Sequence, residues 1–146
     1  MNKTINIPWL KIIGWAILIH IILIVISVLE VTIYAMIINP DQEQVVYEQH
    51  AQLTAPFITI ILGIILFFFI ARILVHKRYA KRKLIGIALP LTYIILDIFI
   101  LVISGTDWAK LYLVFIISFL TKFLASYIGA ISLKNDKISD VINNHN

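Results

Sequence analysis

Four long apolar runs constrain this chain more than any other feature. They extend from about Trp9 to Ile38, Pro56 to Val75, Leu84 to Ser104 and Ala109 to Leu133. Each can supply the roughly 20 residues that a helix needs to cross about 30 Å of hydrocarbon. A strand of a membrane barrel would instead alternate polar and apolar residues over about ten positions. The segment "IILGIILFFFIARIL" does not alternate, so helices are expected.

Composition supports a membrane setting. Of the 146 residues, 61% are hydrophobic and 14% are charged. A soluble domain is nearer half apolar and a quarter charged, and one of this length cannot hide so much apolar surface. A lipid-facing bundle need not hide it. The expected fold is therefore an all-α membrane protein, a four-transmembrane-helix antiparallel bundle spanning residues 1–133. A short polar tail, residues 134–146, follows it. The first run is too long for the core of a cleaved signal peptide and has no small-x-small site after it, so it is expected to remain as the first span. Pro8 suits a first helical position, and Trp9 and Lys11 suit the interface.

Charge sets the expected orientation. The loop "HKRYAKRK" carries Lys77, Arg78, Lys81, Arg82 and Lys83, with Arg72 just before it. The first loop, "NPDQEQVVYEQHAQLT", has no lysine or arginine and contains Asp41, Glu43 and Glu48. The positive-inside rule then places the basic loop and both termini in the cytoplasm, as in a multi-pass protein of the bacterial inner membrane. The same loop is a candidate surface for anionic headgroups, each basic residue adding about 1 kcal/mol near a charged leaflet. Clustering at a membrane surface gives no reason to expect a nucleic-acid partner. With two spans in each half, the halves share one topology, so an inverted-repeat transporter is not indicated. In the outer loop, residues near Gln42 to Gln52 are expected to form a short helix on the outer surface. Val45, Val46 and Tyr47 would face the headgroups, and Thr54 and Pro56 would open the second span.

Each span carries a stripe of small and polar residues. Span one has Ala16, His20, Ser27, Glu30 and Tyr34, and span two has Pro56, Thr59 and Gly63. Span three has Gly86, Pro90, Tyr93, Asp97 and Ser104, and span four has Ser118, Lys122, Ser126 and Gly129. Spacings of three, four and seven put each set on one helical face. Small residues let helices approach closely in lipid, and hydroxyls bond across the contact. The four stripes are expected to face one another.

Depth selects a candidate site. A rise of about 1.5 Å per residue from the cytoplasmic ends puts His20 about 12 Å, Tyr93 about 14 Å, Lys122 about 17 Å and Asp97 about 20 Å into the bilayer. A lone charge there costs roughly 2.5 to 3.5 kcal/mol on insertion scales. Asp97 and Lys122 lie at matched depth on adjacent spans and are expected to pair. His20 and Tyr93 complete an intramembrane cluster. The plain role for such a cluster is to fix helix register; the sharper one is to handle protons.

Other chemistry has little support. Without cysteine there is no disulfide, thiolate metal site or cysteine nucleophile. Glu43, Glu48 and His50 lack a metal-ligand spacing. No phosphate-binding glycine loop or hydrolase motif is present. The expectation is a non-enzymatic protein without cofactor or resident metal, either a self-associating bundle or an accessory subunit of a membrane complex. The alternative is a small proton-linked carrier or channel using His20, Asp97 and Lys122. A carrier requires a polar cavity that reaches the cluster, whereas a close-packed interior would count against it.

Overall fold

The computed structural model describes residues 7–76, 79–103 and 108–132. Four helices run through them: α1 (Trp9–Ile33), α2 (Gln44–Val75), α3 (Arg82–Ile103) and α4 (Trp108–Ile131). Among the described residues there is no strand. All four helices are long and apolar enough to cross a membrane. Their backbone groups are bonded within each helix, which hydrocarbon demands. At most a third of each span's most apolar window is buried inside the protein, so most of its apolar surface is left for lipid. The chain is thus a multi-pass four-helix membrane bundle.

α1 packs against α2 and α3, and α4 packs against the same two helices. Around the bundle the order is therefore α1, α2, α4, α3, with α2 and α3 also touching across the middle. The small-and-polar stripes face inward as expected. Ala16, His20, Gly63, Gly86, Pro90, Tyr93, Lys122, Ser126 and Gly129 are all buried. Ser104 lies outside the described residues, as do Lys77, Arg78 and the tail from residue 133.

Boundaries differ from the sequence expectation in one important place. α2 begins at Gln44, not at Pro56, so the helix expected on the outer surface is instead the first three turns of the second span. Pro56 lies inside α2. A proline removes one N–H from the helical ladder but does not end a helix whose other bonds persist. At about 1.5 Å per residue, α2 is about 48 Å long and α3 about 33 Å. The α1–α2 hairpin therefore extends beyond α3 at the end that carries the α1–α2 turn. α1 closes with a π-helical turn, Tyr34–Ile38, in which the Asn39 N–H donates to the Tyr34 carbonyl at 2.9 Å. The reversal places Asp41 at φ 60°, a left-handed conformation that a short polar side chain tolerates. Pro8 caps α1 rather than opening it, its carbonyl accepting from the Lys11 and Ile12 N–H groups at 3.0 Å.

Pro90 shows how the bundle compensates such a loss. Inside α3 it has no N–H to give the Gly86 carbonyl four residues earlier. Ser126 of α4 donates its hydroxyl to that carbonyl at 2.8 Å, and its side chain is wholly buried. Ser126→Ala strands the carbonyl and is expected to cost about 1–3 kcal/mol. Pro90→Ala restores the helical donor, so Ser126→Ala in that background is expected to be nearly neutral. Denaturing-detergent titration of the four combinations measures this, and an equal cost of Ser126→Ala in both backgrounds would remove the argument.

Candidate functional site

The inner polar unit is built by three helices. His20 of α1 has both ring nitrogens against oxygen. Its Nδ1 is 3.1 Å from the Ala16 carbonyl, and its Nε2 is 3.3 Å from Asp97 Oδ1 on α3. The ring can therefore donate from Nδ1 to the Ala16 carbonyl or from Nε2 to the Asp97 carboxylate, and the tautomer decides which. The His20 ring stacks on Tyr93, centroids 3.9 Å apart at 24°, and Tyr93 meets Phe67 of α2 edge-on at 5.0 Å. The ring stack fixes the imidazole, and the i to i+4 spacing from Tyr93 to Asp97 presents the carboxylate to it.

Lys122 enters from α4 and is 2% exposed. Its stem crosses α2 at Gly63, where an added Cβ would lie 2.7 Å from Lys122 Cε. Its Nζ donates to the Tyr93 hydroxyl at 3.4 Å and sits 4.6 Å from the centre of that ring. The stem packs as hydrocarbon, while the ammonium finds an aromatic and a hydroxyl partner.

The structure thus gathers all four expected residues but corrects their pairing. Asp97 pairs with His20, not with Lys122, which is beyond ion-pair distance from it. Matched depth set the level of each group but not its direction around the helix axis. Lys122 is drawn across the small residue Gly63 toward Tyr93, leaving Asp97 to α1. Counting every span from one common level also set α1 too far inward relative to α3. Between Asp97 and Lys122 lies a cavity of ≈ 10 Å³, lined by both residues and by Tyr93, Ser118, Ile94, Phe115 and Phe119. It has room for about one water molecule.

A second cluster joins α1 to α2 at the end of the bundle that carries the α1–α2 turn. Glu30 accepts from His50 Nε2 at 2.6 Å and from the Thr54 hydroxyl at 2.9 Å. His50 stacks on Tyr34 at 3.5 Å and 5°. Tyr47 approaches Tyr34 edge-on, donates to the Asn39 carbonyl at 3.1 Å and accepts from the Gln42 N–H at 3.0 Å. Tyr47 therefore ties down the turn rather than facing headgroups. The sequence held a signal for this cluster. Glu30 and Tyr34 are four apart on one stripe, as are His50 and Thr54, and starting α2 at Gln44 brings the pairs together. His50 faces Glu30, while Glu48 accepts from Gln44 at 2.8 Å. No group of three metal-ligating side chains forms among the described residues.

At the opposite end, Lys81, Arg82 and Lys83 lead into α3. Arg82 Nη1 reaches the Ile131 carbonyl at 3.5 Å, a favourable place for a cation because the carbonyl end of a helix is partially negative. Comparison with protein-family models, with characterised proteins and with solved structures returns no match to this chain.

Proposed function

We propose that this protein is a non-enzymatic membrane bundle that works by association, either with its own copies or as the accessory subunit of a membrane complex. The observation that carries the proposal is the packing of its polar interior. The cavity at the four-residue cluster is ≈ 10 Å³, far below the roughly 300 Å³ at which small-molecule pockets begin. A solute carrier has nothing to hold there. The proposed contact surface is the outer hairpin, where Met36, Ile37 and Ile38 are all more than two-thirds exposed at the end of α1. The proposed setting is a bacterial inner membrane with both termini cytoplasmic. Six basic residues from Arg72 to Lys83, and none from Asn39 to Thr54, support that orientation. Anionic headgroups at Lys81, Arg82 and Lys83 fit the same placement.

A second reading, a proton-linked carrier or channel, is favoured by one observation. The His20 imidazole lies 3.3 Å from the Asp97 carboxyl within the span, and a proton needs no solute-sized cavity.

The chain has no cysteine, so one introduced thiol reports its own side of the membrane. Gln49→Cys is expected to react with an impermeant reagent on whole cells, and Lys83→Cys only after lysis. Photo-crosslinking from position 37 in those cells is expected to capture a discrete protein, while position 99, on the lipid face of α3, captures none. Reversed labelling would overturn the orientation. Failure of position 37 to capture anything would remove the association reading and leave the proton-linked one.

A further inference from the structure

The cavity between α3 and α4 carries an inference independent of either functional reading. We infer that it binds one water molecule, and that this water bridges the Asp97 carboxyl to the Lys122 ammonium, joining two side chains that do not touch. Size is the first constraint. The cavity is ≈ 10 Å³, and a void needs about 10–15 Å³ to hold a water. Chemistry is the second. Four polar side chains line the cavity: Asp97, Lys122, Tyr93 and Ser118. A buried water typically makes about three hydrogen bonds. Here it accepts from Lys122 and donates to Asp97, with the Ser118 hydroxyl able to serve either way.

The charges exclude other occupants. A metal cation would sit against the Lys122 ammonium, and an anion against the Asp97 carboxyl. The volume excludes anything larger. Access is also accounted for. The Asp97 side chain is 29% exposed, so the cavity is not sealed at that residue.

The water turns two contacts into one network. His20 meets Asp97, Asp97 meets the water, the water meets Lys122, and Lys122 meets Tyr93. Among the described residues, the charged groups facing the network are those members. α2 contributes Phe67 and Gly63, which are uncharged. Asp97 and Lys122 thereby stabilise each other across the gap, as a direct pair would, but through a single removable molecule.

The test uses the full-length protein in lipid bilayers. Solid-state NMR with transfer from water protons is expected to give signals at the assigned Asp97 carboxyl and Lys122 Cε carbons. Ser118→Val removes a polar partner and fills the cavity, so both signals are expected to disappear while the His20 ring resonances stay. Asp97→Asn and Lys122→Met, alone and together, then measure coupling in the ratio of folded to unfolded protein. That coupling is expected to be about tenfold in the parent and about onefold with Ser118→Val. Ser118→Ala leaves the space open and is expected to keep the water signals, which separates loss of the water from loss of the hydroxyl; if the valine variant does not fold, the parent's water transfer to Asp97 decides. A parent protein without water transfer to Asp97, or coupling unchanged by Ser118→Val, would overturn the inference.

Discussion

Gly129→Ala is expected to destabilise the bundle more than alanine at any other spanning glycine, by about 3 kcal/mol or more. The reason is the identity of the obstacle. A Cβ at Gly129 would run into the Phe68 carbonyl oxygen, and would lie 2.9 Å from the Phe68 carbonyl carbon and Cα. These are backbone atoms of α2. They cannot rotate aside, so α4 and α2 must separate along the seam where they pack. Gly86 is the next most restrictive position. Its Cβ would lie 2.8 Å from the Ala130 Cβ and 3.3 Å from the Tyr127 Cα, and separating α3 from α4 also strains the Ser126 bond. At Gly63 the obstacle is the Lys122 stem, which can bend. The cost there should be smaller and should appear as a displaced ammonium. Gly14 has nothing within 4 Å, so alanine there should be neutral or gain up to about 1 kcal/mol of helix propensity. Denaturing-detergent titration should rank the losses Gly129, Gly86, Gly63, Gly14. Equal behaviour of Gly129→Ala and Gly14→Ala would mean that the α2–α4 seam is not where the bundle is held.

That ranking also shows what was legible in the sequence. The glycine stripes and the four spans followed from spacing and hydropathy, because lipid leaves helices few other ways to satisfy their backbone. The start of α2 did not follow. Pro56 resembles a helix start by local rules, yet the helix passes through it. What decides the matter is non-local: His50 and Thr54 both bind Glu30 of α1, and Tyr47 holds the turn. These contacts give the helix before Pro56 a partner, and a linear pattern does not record a partner twenty residues away. The inner site shows the same division. Its membership followed from depth, but its pairing depended on direction around each axis. That direction was set by Gly63 beneath Lys122 and by the stacking of His20 on Tyr93.

His20→Phe is expected to cost more than Lys122→Met, although Lys122 is the more deeply buried of the two. Phenylalanine keeps a ring against Tyr93 but offers nothing to Asp97, which loses its only direct ionic partner among the described residues. Removing one member of a buried pair commonly costs about 3–5 kcal/mol. The partial exposure of Asp97 places this case at the lower end. Asp97→Leu leaves a neutral imidazole whose Nδ1 still donates to Ala16, so only one lone pair is stranded. That should cost about 1–3 kcal/mol. The combination of His20→Phe with Asp97→Leu leaves neither group unpaired, and about 2–3 kcal/mol should return as coupling. Lys122→Met loses a long hydrogen bond and a ring contact, worth about 0.5–2 kcal/mol, and also relieves the burial of an ammonium. Coupling of Asp97 to His20 should therefore exceed its coupling to Lys122. The reverse order would restore the direct Asp97–Lys122 pair. The doubly substituted protein also separates the two functional readings. A register-fixing pair can be replaced by packing, so an associating bundle should regain its crosslinked partner together with its stability. A proton-handling pair cannot be replaced in that way, so a carrier or channel should regain its fold but remain inactive in proton flux across vesicles.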